Sequence, residues 1–170
     1  MRTVYIEFTR PKTNKPLSCA IMAVEGTKYS HVRLRWKTSW GAETVYEASG
    51  VSVKFVGPVA MQERPVEVIH SYALQLSDEQ YKALLRLCIE YSGLSYGTLQ
   101  LVGILLVRVF GLVKNPLSRG RKSQVCSEIV GVFLQDILGI GRQLNLDIAG
   151  PRDIQKVLED TLSSNVVSLR

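Results

Sequence analysis

The feature that most constrains this chain is a change of hydrophobic period near its middle. From residue 31 to about residue 74 the apolar residues recur every second position, and after residue 77 they recur every third or fourth. Period two is the signature of half-buried strands and period 3.6 that of helices packed by one face. In HVRLRW, from His31, the residues Val32, Leu34 and Trp36 point one way and His31, Arg33 and Arg35 the other. The turn-prone stretch Thr38 to Gly41 separates this strand from a second over 43–48, and Ser49-Gly50 leads to a third over 51–56, ended by Pro58. A fourth runs over 66–74, with Val66, Val68, His70, Tyr72 and Leu74 on one face, which makes His70 a core histidine. Ser77 and Gln80 then form a capping box that opens a helix carrying Tyr81, Leu84, Leu85, Cys88 and Tyr91 and stopped at Gly93. Further helices are expected over about 97–112, 124–138 (capped by Ser123) and 151–160, with an irregular basic loop over 114–122. Pro16 to Val24 reads as a short helix, and the terminal VVSL as a short strand. The expected architecture is α+β, an antiparallel sheet packed against helices, in a single domain over 1–170.

Composition narrows the function classes. With 46% hydrophobic and 21% charged residues the chain is globular rather than disordered or collagenous. The three cysteines, at 19, 88 and 126, make no C-x-x-C pair, and the two histidines, at 31 and 70, complete no structural zinc pattern. An odd cysteine leaves a free thiol, which suits a reducing compartment or a reactive residue. The net charge of +6, from 21 basic and 15 acidic residues, is a mild excess without a nucleic-acid motif, so no nucleic-acid partner is expected. The N-terminus lacks the apolar stretch of a signal peptide, which points to a cytoplasmic or virion-associated protein. The most lipid-like piece, Gly93 to Val107, is ended by Arg108 and is short of the roughly 20 residues a membrane span needs, so it reads as a buried helix, with membrane contact left open.

Cys126 is the residue with the most chemistry to offer. It falls in the first turn of an expected helix, where the aligned peptide dipoles favour a thiolate, and Arg121 and Lys122 lie just upstream. A thiol nucleophile needs a base. His31 opens a strand beside a loop, and Glu47, near the end of the next strand, could orient it across a hairpin. Cys88 and Cys19 read as core residues. Arg33 and Arg35 read either as solvated or as recognising an acidic substrate group.

These segments, in this order, resemble a known family. Ser30-His31-Val32, Glu47-Ala48, Gly93-Leu94-Ser95-Tyr96, Cys126-Ser127-Glu128-Ile129-Val130 and Pro151-Arg152-Asp153-Ile154 are similar to the motifs of the permuted NlpC-like, papain-fold cysteine peptidases and amidases of the YiiX-like group, over roughly residues 17–155. The resemblance implies a permuted papain-like fold in which the histidine precedes the cysteine. It also implies Cys126 as nucleophile, His31 as base and Glu47 as the orienting residue, with Tyr96, Ser30 and Ser127 contacting substrate and the Cys126 N–H helping to hold an oxyanion. No metal or organic cofactor is implied. One departure is Gly97, where the family often has an aspartate. The implied activity is cleavage of peptidoglycan-type amide bonds, with delivery on a phage tail as one route to the wall. Two alternatives stand beside it: a virion tail component or binding module that keeps the fold, with tail proteins as partners, and a lipid acyl hydrolase or acyltransferase.

Overall fold

The computed structural model describes residues 1–63, 66–118 and 123–167. Its strands are β1 (Arg2–Pro11), β2 (His31–Lys37), β3 (Glu43–Ser49), β4 (Ser52–Val56), β5 (Val66–Leu76), β6 (Ser95–Tyr96) and β7 (Ser123–Gln124). Its helices are α1 (Pro16–Glu25), α2 (Pro58–Gln62), α3 (Asp78–Tyr91), α4 (Thr98–Phe110), α5 (Cys126–Val132) and α6 (Pro151–Val167), with a π-helical turn, Phe133–Ile137, continuing α5. The fold is α+β. Among the described residues the sheet order is β5-β1-β2-β3-β4-β6-β7, antiparallel except where β6 and β7 pair in parallel.

The period-two segments form the sheet because each can bury one face. On β2, Val32, Leu34 and Trp36 are at most 1% exposed, and β1 faces them with Val4, Ile6 and Phe8. α3, α5 and α6 close over these residues, and burial of each large apolar side chain contributes about 1.5–3 kcal/mol. The hydroxyl of Tyr46 donates to the Cys88 carbonyl at 2.7 Å, tying β3 to α3. A smaller apolar cluster, Ile21, Leu101, Ile104 and Val125, joins α1 to α4.

Several expectations change. β1 is a strand that the analysis of the sequence leaves unassigned, although Val4, Ile6 and Phe8 alternate with Tyr5, Glu7 and Thr9; α2, β6 and β7 are also additions. His70 is exposed rather than core. β5 is the sheet's edge, and a register shift against Phe8 and Thr9 turns Ile69 toward the core and leaves Val68 largely exposed. Cys19 is exposed, because the face α1 buries carries Ile21 and Glu25. Ser123 is not a helix cap: it lies in β7, α5 starts at Cys126, and its N-cap, Val125, contributes no side-chain hydrogen bond. Val166 and Val167 are helical, not strand; Ser168 and Leu169, like Arg119 to Lys122 of the basic loop, lie outside the described residues. α4 is buried on one side only. Among the described residues no helix is long and apolar enough to cross a membrane.

Arg33 and Arg35 have a structural job. Glu7, only 3% exposed, accepts from Arg33 Nε at 3.0 Å and Nη2 at 2.8 Å and from Arg35, which also donates to Glu43 at 3.1 Å. Removing one member of such a group leaves buried charge without compensation. Glu7→Ala is therefore expected to destabilise the protein by about 3–5 kcal/mol in urea unfolding. A loss below about 1 kcal/mol, the level of an exposed pair, would contradict this role.

Candidate active site

The site is assembled where β2 begins, β3 ends and α5 starts. Gly26, with φ 64° in the left-handed region, closes α1 and turns the chain toward β2. The loop is pinned by the Ser30 N–H, which donates to the Thr9 carbonyl at 3.1 Å, so His31 enters the sheet at a fixed height beside β1. β3 runs antiparallel to β2 in the register Leu34–Tyr46, which brings Glu47 back toward the start of β2. Glu47 Oε2 lies 3.2 Å from His31 Nε2. The Ser49 hydroxyl, two residues along β3, donates to the other carboxylate oxygen.

The imidazole's second neighbour is Cys126, close enough to act as its hydrogen-bond partner. The interactions of all three residues can be followed in the imidazole's titration. Burial opposes the charged imidazole, but the negative charge and hydrogen bonding of Cys126 and then of Glu47 outweigh it and push His31 up to about 10. Burial likewise opposes the charged carboxylate, yet the His31 contact dominates, with Ser49 and Arg33 helping, and holds Glu47 down at about 2. His31 therefore keeps its proton through neutral pH, held between Cys126 and the Glu47 carboxylate.

A cleft of about 520 Å³ opens over His31 and Glu47, with Cys126 outside its lining. Ser30, His31, Glu47 and Tyr96 line it, with Lys15 and Lys54 contributing positive charge and Leu17, Ile21 and Leu101 an apolar wall. Cys126 is only 2% exposed. The Tyr96 hydroxyl is held neutral by burial and by the negative charges of Cys126 and Glu47. Ser127 is 1% exposed and donates to the Ala149 carbonyl at 2.7 Å, which anchors the start of α5 to the chain entering α6. Gly150 belongs to the same junction: a Cβ there would clash with the Glu25 carboxylate, and Glu25 accepts from the Arg152 N–H. In the motif at 151–154, Asp153 accepts from the Gly150 N–H and from Arg108, both fold contacts. Gly97, the departure from the motif, also has a packing reason: a Cβ would meet Gln100 and Val125 at 3.1–3.2 Å. An adjoining hollow of about 330 Å³ beside Arg10, Lys15 and Cys19 includes none of the three interacting residues.

Sequence reasoning missed Ser49 and the cleft walls from α1 and α4. For Ser49 a signal was present, since it lies two positions beyond Glu47 on a strand and so on the same face. It also missed a polar pair between α4 and α5. There Gln100 donates to Glu128 at 2.9 Å and burial raises the Glu128 carboxyl to about 7.

No family model matches the chain, and no curated protein sequence matches it. Among solved structures, that of the metalloprotein YiiX from Escherichia coli O157:H7, of the family DUF1105, is similar, with a TM-score of 0.55 and 21% identity over 82% of this chain and 67% of that one. The chain thus has a YiiX-like α+β fold. Among the described residues of this chain, no group of three or more His, Cys, Asp or Glu side chains is arranged to hold a metal ion. His31, Glu47 and Cys126 are engaged with one another.

Proposed function

We propose that the protein is a cysteine hydrolase acting by acyl transfer on amide bonds, with peptidoglycan-type peptides as its substrate class. The single observation that carries this reading is His31 interacting at once with a helix-tip thiol and a buried carboxylate. The Cys126 thiolate attacks the carbonyl carbon and forms a C–S bond. The Cys126 backbone N–H, at a helix start whose N-cap offers no competing side chain, donates to the developing oxyanion. His31, already protonated, gives its proton to the leaving nitrogen as the C–N bond breaks. The neutral imidazole then takes a proton from water, the hydroxide attacks the thioester, and the thiolate leaves. Glu47 orients the ring and stabilises its charge throughout. Tyr96 and Ser30 contact the substrate from the cleft wall; Ser127, turned to Ala149, supports the helix. The wall formed by Leu17, Ile21 and Leu101 favours a second reading, an acyl chain of a lipid amide or ester in the same cleft.

Exposure and reactivity make opposite forecasts for the cysteines, which gives a direct test. Cys19 is exposed and Cys126 is buried. With iodoacetamide at neutral pH, Cys126 is nevertheless expected to be alkylated at least about tenfold faster than Cys19, because the thiolate is the reacting form. Labelling in order of exposure, Cys19 first, would overturn the proposal. Turnover of muropeptides against that of fatty-acyl amides and esters separates the two substrate readings.

A further inference from the structure

α4 buries Gln100, Leu101, Gly103, Ile104 and Val107, packs Leu105 against the smaller apolar cluster, and turns most of its other apolar residues outward. Leu99, Val102, Val109 and Phe110 recur at spacings of three, four or seven, and half-buried Leu106 fills the gap, so they share one face of the helix. Phe110 is 69% exposed, and Val113, just beyond the helix, is 83% exposed. A monomeric soluble surface seldom presents so many large apolar side chains in one stripe.

The stretch of sequence that carries this stripe is one-sided in charge. Between Glu90 and Glu128 the sequence has no acidic residue and five basic ones, Arg108, Lys114, Arg119, Arg121 and Lys122. Lys114 directly follows the exposed Leu112 and Val113 and is itself exposed. Arg108 is paired, since Asp153 accepts from it. An apolar helical face that ends in the exposed Lys114, within a stretch of sequence that has no acidic residue, matches an anionic bilayer, whose acyl boundary takes the apolar side chains and whose headgroups take the cations. The helix is too short to cross the bilayer, so it lies along the interface.

We propose that the outward face of α4, from Leu99 to Val113 with Lys114 at its end, docks the protein on an anionic phospholipid surface. α4 also supplies Thr98 and Leu101 to the wall of the cleft, so the docking helix and the cleft share one element. This inference is independent of the acyl-transfer reading, because the face binds lipid whether or not Cys126 reacts.

Co-sedimentation of the full chain with vesicles is the test. Binding to phosphatidylcholine vesicles containing about one-third phosphatidylglycerol should be at least about tenfold tighter than to phosphatidylcholine alone, and should weaken with added salt. Phe110→Glu should cut the binding at least about tenfold with unchanged melting temperature, since the side chain is exposed. Val113→Glu serves as the second variant if the first does not fold. Equal binding to both vesicles, no binding, or variants that bind as the parent does would overturn the proposal. So would a concentration-dependent dimer, abolished by Phe110→Glu, in a chain that ignores vesicles.

Discussion

Cys126→Ala is expected to lower turnover by at least about 10⁴-fold while the protein still folds. No other side chain near the site can replace the nucleophile. Cys88 is fully buried, and burial drives its thiol far above the ordinary range. Cys19 sits outside the cleft, on the exposed side of α1. The Ser127 hydroxyl is committed to the Ala149 carbonyl. The substitution removes one sulfur atom from a well-packed position, so its cost in urea unfolding is about 1–2 kcal/mol, far too small to account for the lost rate by unfolding. Turnover by the alanine variant within tenfold of the parent would show that the reaction, if any, runs elsewhere.

Glu47→Gln is the second large effect, expected at about 10²–10⁴-fold in kcat, because the amide keeps the shape but not the charge that stabilises the imidazolium. Its stability signature depends on pH, and the sign can be worked out. Glu47 titrates near 2 when folded against 4.5 when unfolded, so its contribution is present above 4.5 and is lost as pH falls through about 2. His31 titrates near 10 when folded against 6.5 when unfolded, so its contribution is full below 6.5 and is lost as pH rises through about 10. Both are complete only between about 4.5 and 6.5. The stability gap between parent and Glu47→Gln should be widest in that window and narrow on either side. A gap independent of pH would mean that the carboxylate is packing rather than charge.

Much of this site could be read from the amino-acid order because its parts sit where local rules act. A strand start, a strand end and a helix tip are each marked by alternation, turn residues and periodicity, and these placed His31, Glu47 and Cys126. The capping box at Ser77 and Gln80 is likewise local, and both of its hydrogen bonds form. What was not legible depends on neighbours distant in the chain. β1 alternates as clearly as β2, yet its partners β2 and β5 lie far along the sequence, and only their pairing explains why Glu7 is buried under Arg33 and Arg35. His70 seemed to belong to an apolar face, but an edge position and a register shift expose it. Ser123 is a good helix cap by residue type, yet pairing of Ser123 with Ser95 draws it into the sheet and the helix starts three residues later. α4 read as buried throughout because hydrophobicity does not say how many of a helix's sides are covered.

The central claim is that a distant thiol and a neighbouring carboxylate together keep a proton on His31. NMR titration of the His31 imidazole, in the parent and in Cys126→Ala, measures this directly. The account predicts an imidazolium throughout the neutral range in the parent, losing its proton near pH 10, with the midpoint moving down when the sulfur is removed. A His31 that titrates near 6.5 in both proteins would contradict it.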